Sequence, residues 1–374
     1  MGGIYIHIPY CRQACNYCNF HFSVSRQNQQ AFLDALKAEM AMNADFFDKP
    51  LKTIYLGGGT PSLLGGQEII SIFESITKYF TIDDTCEITL EANPDDLDQG
   101  KLQELRQTPV NRLSIGIQSF HQQDLKYLNR IHSPAQAMNA LRNALETGFT
   151  NLTADLIYGI PALNDEMWMD NLRQLISFQI PHISAYALTV EDKTALAHFI
   201  RQGKMQPVSD DQCARQFGMM VEYLEAQGFQ HYETSNFAMS GHMSSHNLLY
   251  WTGKPYLGLG PSAHSYKDGK RFWNVSNTSQ YIADIGRGEL PRAGEILSEN
   301  DKLNEYIMTS LRTMWGCDLQ RVGRYWGQDR ADTLFAQSAQ HLQNGLMIHM
   351  NDHLILTRKG RFLADGIAAG LFVE

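Results

Sequence analysis

The sequence has no excess of positive charge and no long apolar run. A formal net charge of −9 argues against broad binding to nucleic-acid backbones, which requires a basic docking surface. No apolar stretch approaches the roughly 18 residues of a membrane-spanning helix, and the start, MGGIYIHIPY, lacks the basic and apolar regions of a secretion signal. We therefore expect a cytoplasmic protein with no nucleic-acid partner and no integral membrane segment.

Cysteine is also scarce, and its spacing is unsuited to a disulfide framework. Three of the six cysteines lie between positions 11 and 18, whereas Cys86, Cys213 and Cys317 are far apart. Such a pattern in a chain without a recognisable leader indicates a reducing compartment and directs attention to the three clustered thiols.

The first half of the chain alternates short β-rich runs with amphipathic helical segments. Strands are predicted at 4–8, 53–56, 87–90, 112–117, 152–157 and 183–188. Segments such as QEIISIFESITKYF, with apolar residues at every third or fourth position, lie between them. This alternation predicts six βα units with parallel strands, arranged either as a doubly wound sheet or as a barrel.

Polar residues near the strand ends favour the barrel. Glu91, Gln118, Asp155 and Tyr186 each stand where a strand finishes, and in a barrel they would converge on one mouth. The alternative is that each caps a following helix or turn. The predicted fold class is therefore α/β, with a partial (β/α)6 barrel related to the TIM barrel.

The remainder of the chain predicts two further units. The barrel core is assigned to 1–205, and 206–297 forms an extension of loops and short strands after a helical stretch to Ala226. Residues 298–374 are predicted to form a small winged-helix-like α+β domain, with two strands around Asn351 and Asp352 before a final helix. Since the chain is acidic, we expect this domain to act as a lid or a protein contact rather than to bind DNA.

Cys11, Cys15 and Cys18 form a CxxxCxxC motif directly after the first strand. Soft thiolates bind zinc, copper(I) or iron–sulfur clusters, and a structural zinc site requires four ligands. Three cysteines on a [4Fe-4S] cluster leave one iron open, where S-adenosylmethionine (SAM) can bind and be cleaved to a radical. Zinc, or a redox dithiol with a spare thiol, is the alternative.

This motif, with Tyr17 before the third cysteine, resembles that of the radical SAM superfamily. The run Gly57-Gly58-Gly59-Thr60-Pro61 after the strand TIYL resembles the glycine motif that holds the methionine part of SAM. YIHIPYC, GGGTP, EANP, GIQS, LNRIH, DLIYGIP and AYAL, in this order, are similar to the branch of oxygen-independent coproporphyrinogen III oxidases. The resemblance implies that the residues lining the SAM site are Tyr5, Tyr17, Gly58, Gly59, Thr60, Glu91, Gln118, Arg130 and Asp155.

Two features separate enzymes from haem-handling members of that branch. The porphyrinogen-oxidising enzymes have a fourth cysteine where this sequence has Phe20, and an extension where only ten residues precede Cys11. The run His246-Asn247-Leu248-Leu249-Tyr250-Trp251, in the part predicted as loops, resembles the HNxxYW motif of the HemW family of haem chaperones. This resemblance makes His246, Asn247, Tyr250 and Trp251 the candidate haem-binding residues, followed by His231 and His264.

The resemblance implies a haem chaperone that binds haem, transfers it to apo-haem proteins and carries a SAM-binding [4Fe-4S] cluster. Its partners would be haem, the acceptor proteins and an electron donor, and a homodimer is compatible with the sequence. No catalytic residue is assigned, since the resemblance implies that coproporphyrinogen oxidase activity is absent while the SAM pocket permits a radical step. The alternatives are a coproporphyrinogen III oxidase and a zinc-stabilised barrel of unrelated activity.

Overall fold

The computed structural model describes residues 2–374, and its centre is a row of six parallel strands in sequence order. The strands are β1 Gly2–Ile8, β2 Leu51–Gly58, β3 Ile82–Ala92, β4 Arg112–Gln118, β5 Leu152–Tyr158 and β6 His182–Ala187. All six predicted strands are confirmed. Ile4, Ile6 and Ile8 are fully buried on one face of β1, and His7 is 3% exposed on the other, as expected for a parallel strand covered on both faces.

Helices connect and cover these strands. They are α1 Gln29–Met42, α2 Gly66–Tyr79, α3 Gln99–Arg106, α4 Gln122–Tyr127, α5 Pro134–Glu146, α6 Asp165–Ser177, α7 Ala195–Arg201 and α8 Asp210–Ala226. Capping residues fix the point at which several of these helices begin. Ser133 and Gln136 form a capping box ahead of α5, and Asn164 caps α6. The predicted partial (β/α)6 barrel is confirmed.

The extension is more ordered than the sequence indicated, since most of it joins the central sheet. Its elements are β7 Gln230–Glu233, β8 Asn236–Ala238, α9 Ser245–Trp251, β9 Tyr256–Leu259, β10 His264–Lys267, β11 Lys270–Asn274, α10 Thr278–Gly286 and β12 Arg292–Ile296. β9 pairs parallel to β1 at one edge and β8 pairs antiparallel to β6 at the other, which gives a twelve-stranded sheet. The extension therefore continues the barrel wall on both sides.

The C-terminal part has a hydrophobic core of its own, built from residues between Leu303 and Leu371. Its elements are α11 Glu299–Leu311, β13 Cys317–Asp318, α12 Leu319–Trp326, α13 Gln328–Gln337, α14 Ala339–Gln343, β14 Met347–Met350, β15 His353–Leu356, α15 Arg358–Arg361 and α16 Ala364–Ala369. The small antiparallel sheet has the order β13-β15-β14, and Asn351 and Asp352 turn its hairpin with positive φ. The predicted winged-helix-like α+β fold is confirmed, while the boundaries at 206 and 298 stay predictions.

Candidate functional site

Cys11, Cys15 and Cys18 lie in the loop between β1 and α1, and they line one pocket of about 160 Å³. The loop is tied at its base, where the Cys11 amide donates to the Ser23 carbonyl over 3.0 Å and the Ser23 amide donates to the Pro9 carbonyl over 2.6 Å. A folded loop therefore presents all three thiols to one volume.

The three thiols suit an object larger than a single ion. Among residues 2–374, no group of three or more His, Cys, Asp or Glu side chains is arranged to hold one metal ion. A multi-iron cluster instead gives each cysteine its own iron, and thiolates are its usual ligands. Burial raises the pKa of Cys11 to about 11, so cluster binding at this loop would release protons.

Eight of the nine residues assigned to the SAM site line this same pocket. They are Tyr17, Gly58, Gly59, Thr60, Glu91, Gln118, Arg130 and Asp155. Gly58 adopts a φ of +104°, and a Cβ on Gly59 would stand 2.7 Å from the carbonyl oxygens of Ile8 and Tyr10. The glycine motif therefore serves the turn at the end of β2 and its close approach to the cysteine loop.

The ninth residue, Tyr5, lies one layer behind the pocket. Its ring stacks on Tyr55 with centroids 6.0 Å apart, and its hydroxyl is 3.2 Å from Nδ1 of His7. Tyr55 in turn donates a 2.7 Å hydrogen bond to Glu91. In this structure Tyr5 therefore supports a residue of the pocket and does not line it.

Two half-buried carboxyl groups line the pocket. Glu91 accepts hydrogen bonds from the Tyr55 hydroxyl and from the Gly58 amide, the latter over 3.1 Å, and burial raises its pKa. Burial and the neighbouring Glu91 raise the pKa of Asp155 to about 7, although the Ser114 hydroxyl donates to it over 3.2 Å. Both carboxyl groups are held in place to accept hydrogen bonds from hydroxyl or ammonium groups of a ligand.

Arg130 is fixed by contacts that the sequence did not reveal. Its guanidinium donates to Asn93 over 2.6 Å and to the Gly116 carbonyl over 3.0 Å, and one nitrogen lies 3.5 Å from the Cys15 sulfur. Asn93 lies in the EANP motif, so its presence in a family motif was the only available signal. Gln118 beside it has a φ of +64°, an uncommon conformation for a residue with a side chain.

A second cavity, of about 720 Å³, opens beside the SAM pocket and shares Glu91, Gln118 and Asp155 with it. Tyr186 lines it as well, so the four polar residues of the strand ends do converge on one mouth, as expected for a barrel. This volume is in the range of cavities that hold small-molecule and cofactor ligands. A ligand bound here would lie next to a SAM molecule bound at the cysteine loop.

The HNxxYW residues lie on helix α9, Ser245–Trp251, which corrects the expectation of a loop. Glu87 of β3 accepts the amides of Ser245 and His246, each over 3.0 Å, at the start of the helix. Arg112 of β4 stands 3.7 Å from the same carboxylate. A carboxylate at a helix N-terminus satisfies free amides and stabilises the helix, so this buried ion pair anchors the motif to the barrel.

His246 is enclosed in this arrangement, with a relative exposure of 1%. Its Nδ1 lies 2.8 Å from the Thr53 hydroxyl and its Nε2 lies 2.9 Å from the Tyr250 hydroxyl. Its ring stacks on Tyr55 with centroids 5.0 Å apart, and burial lowers its pKa to about 3. The imidazole is therefore neutral, and a metal would have to displace one of these two hydrogen bonds.

The other haem candidates differ in their access to the large cavity. Asn247 lines it, and the Trp251 ring lies 5.1 Å from the Arg312 guanidinium, which also lines it. His231 is buried against Phe237, with centroids 4.2 Å apart, and neither it nor His264 lines the cavity. Of the four motif residues only Asn247 lines the cavity, whereas His246, Tyr250 and Trp251 lie outside its lining, as do the two second choices.

Known protein families match both the barrel and the C-terminal part of the chain. The family model of the radical SAM superfamily matches residues 5–175, and that of the HemN C-terminal domain matches residues 297–363. No described helix combines the length and the apolar character needed to cross a bilayer.

Several relatives match along nearly the entire sequence. The heme chaperone HemW of Mycobacterium tuberculosis (strain CDC 1551 / Oshkosh) is 35% identical, over 99% of this chain and 94% of its own. HemW of Bacillus subtilis (strain 168) is 32% identical over 100% of both chains. The solved structure of the coproporphyrinogen III oxidase HemN from Escherichia coli has a TM-score of 0.85 at 24% identity, over 100% of this chain and 90% of that chain, so it shares the fold. By these similarities, the chain belongs to the HemW family of the radical SAM superfamily.

Proposed function

We propose that this protein is a cytoplasmic haem chaperone, which binds haem and transfers it to apo-haem proteins. The full-length similarity to proteins named heme chaperone HemW carries this proposal. The 720 Å³ cavity with the HNxxYW helix at its wall supports it, because a flat macrocycle needs a large cavity with aromatic residues nearby. Its partners would be haem, the acceptor proteins, an electron donor and a second copy of the chain in a homodimer.

Cys11, Cys15 and Cys18 would hold a [4Fe-4S] cluster, and the eight pocket residues would hold SAM. When bound, the cluster supplies an electron to SAM. The residues of the chain would hold the ligand in position. Glu91 is fixed by Tyr55 and Gly58, and Arg130 is fixed by Asn93. Replacement of Cys11 and Cys15, which line the cysteine pocket but not the large cavity, should remove the iron–sulfur absorption without removing haem binding.

His246 remains the proposed axial ligand to haem iron, with Asn247, Tyr250 and Trp251 around it. A neutral imidazole is the form that binds iron, and burial keeps His246 neutral. Ligation requires the hydrogen bond to Tyr250 or to Thr53 to open, so we expect a local movement of α9 when haem binds.

A radical oxidative decarboxylation of a porphyrinogen is the second candidate. The sharing of Glu91, Gln118 and Asp155 between the two pockets favours it, because a ligand in the large cavity would be adjacent to SAM. Against it, Phe20, with a relative exposure of 67%, occupies the cavity wall where the enzymes carry a cysteine.

One experiment separates the two candidates. The cluster is reconstituted anaerobically, the protein is titrated with haem, and a parallel sample is assayed for coproporphyrinogen turnover with SAM and a reductant. A stoichiometric Soret change and transfer of the haem to an apo-haem protein, without vinyl product, are expected. Turnover without haem binding would overturn the chaperone proposal.

A further inference from the structure

The large cavity has two chemically different walls. Glu91 and Asp155 line it from the barrel strands, whereas Arg312, Arg361 and the exposed Asp365 line it from the C-terminal part. Aromatic rings also line the cavity, namely Phe20, Tyr158, Tyr186, Phe217 and Phe362. A ligand matched to this lining has a broad apolar body with negative charge at one edge.

Arg361 is a cation without a carboxylate partner. It is half-buried, and one of its nitrogens donates over 2.7 Å to the carbonyl oxygen of His231. The nearby Glu225 pairs with Arg358 instead, and Arg361 forms no ion pair with any carboxylate of residues 2–374. A guanidinium offers five donors, so Arg361 retains donors for a ligand.

Arg312 stands beside the HNxxYW helix. Its guanidinium lies over the Trp251 ring and pairs with Asp365, whose side chain is 73% exposed. Its Nε is buried and has no hydrogen-bond partner among the described residues. An exposed partner holds a cation weakly, so Arg312 is available to a buried anion.

The third arginine of the cavity wall, Arg112, does not share these properties. Its guanidinium is 3.7 Å from Glu87 and donates to Asn151 over 2.7 Å and to Thr153 over 2.8 Å. These contacts engage the guanidinium of Arg112 inside the barrel. The positive charge of the cavity that is unpaired, or paired only with an exposed carboxylate, therefore comes from the C-terminal domain.

We propose that Arg361 and Arg312 form a carboxylate-binding subsite, which holds the acidic side chains of a ligand whose apolar body fills the large cavity. This inference rests on the proposed function, in which the ligand is haem with two propionate groups. It places the propionates against the C-terminal domain and gives that domain a role in binding. Arginine is suited to this task, since its planar fork binds a carboxylate with two parallel hydrogen bonds.

The wild-type protein provides the first test, which needs no substitution. Haem and haem dimethyl ester, in which both propionates are esterified and uncharged, are titrated into the cluster-loaded protein, and the Soret change gives each Kd. We expect the ester to bind at least about tenfold more weakly, because a charge-assisted hydrogen bond contributes enough for a tenfold change in affinity.

Variants then assign the effect to the two arginines. Arg361→Gln and Arg312→Gln should each weaken haem binding about tenfold and leave ester binding unchanged. Arg361→Lys retains the charge and should recover part of the affinity. Asp365→Asn removes the same ion pair as Arg312→Gln but frees the cation, so it should keep or strengthen haem binding. Arg324→Gln, on the exposed side of α12, is the matched control and should have no effect.

The outcomes distinguish this inference from the function on which it rests. Equal affinities for haem and its ester in the wild-type protein would overturn the subsite and leave the chaperone proposal standing. A weaker ester with unchanged haem binding in both Gln variants would place the propionates elsewhere and would also overturn it. Absence of binding by haem and ester alike would remove the proposed function and this inference together.

Discussion

If His246 binds haem iron as proposed, the hydroxyl group of Tyr250 competes with the iron for the imidazole. In the structure it lies 2.9 Å from Nε2 of the imidazole, and Thr53 occupies the other nitrogen. A hydrogen bond of this kind contributes about 1 kcal/mol, which corresponds to about a fivefold change in affinity. If His246 is the axial ligand, Tyr250→Phe removes the competitor and keeps the ring, so haem should bind about fivefold more tightly.

The assay is a haem titration of the reconstituted protein, followed through the Soret band and paired with thermal unfolding. Tyr256→Phe is the matched control, because its ring packs on Tyr250 at 4.7 Å while its hydroxyl makes no contact with His246. The double variant Tyr250→Phe/His246→Ala should lose the gain, since the gain passes through the imidazole.

Two results would refute this reasoning. Weaker haem binding in Tyr250→Phe, with an unfolding temperature near that of the control, would mean that the hydroxyl helps to hold haem. Unchanged haem binding in a folded His246→Ala would mean that the imidazole is a core residue, which supports Tyr55 beneath the SAM pocket and does not bind iron.

Three further predictions concern the cluster, the pH dependence and the motif helix. Cys15→Ala should lose iron and the broad iron–sulfur absorption after anaerobic reconstitution, whereas Cys86→Ala, in β3, should keep both. Burial raises the pKa of Glu39 from 4.5 to about 7, so wild-type unfolding free energy should fall by up to about 3 kcal/mol as pH rises through that interval. Glu39→Gln should lack this part of the slope in denaturant titrations, and an unchanged slope would contradict the assignment. Glu87→Gln leaves Arg112 without its charged partner and should lower the unfolding free energy by about 3 kcal/mol. A urea unfolding midpoint equal to that of the wild-type protein would contradict this prediction.

Local sequence determined the barrel strands, and the family motifs selected most of the residues that line the proposed SAM pocket. Each buried parallel strand is a short apolar run, and each polar residue at its end has a fixed place relative to that run. Once the strands close into a barrel, these ends meet at one mouth, which brings Glu91, Gln118 and Asp155 together. The three cysteines lie within eight residues, and a single loop is enough to bring them to one pocket.

Long-range pairing decided the rest. The place of β9 beside β1 depends on contacts between segments about 250 residues apart, which no periodicity encodes. The burial of His246 likewise results from Glu87 and Thr53, two strand residues that the motif gives no reason to select. No pattern in the sequence selected Arg361. Its contact with His231 and its lack of a carboxylate partner arise only when the C-terminal domain packs on the extension. A sequence pattern records which face of an element is apolar, whereas the identity of a polar partner is set by which elements pack together.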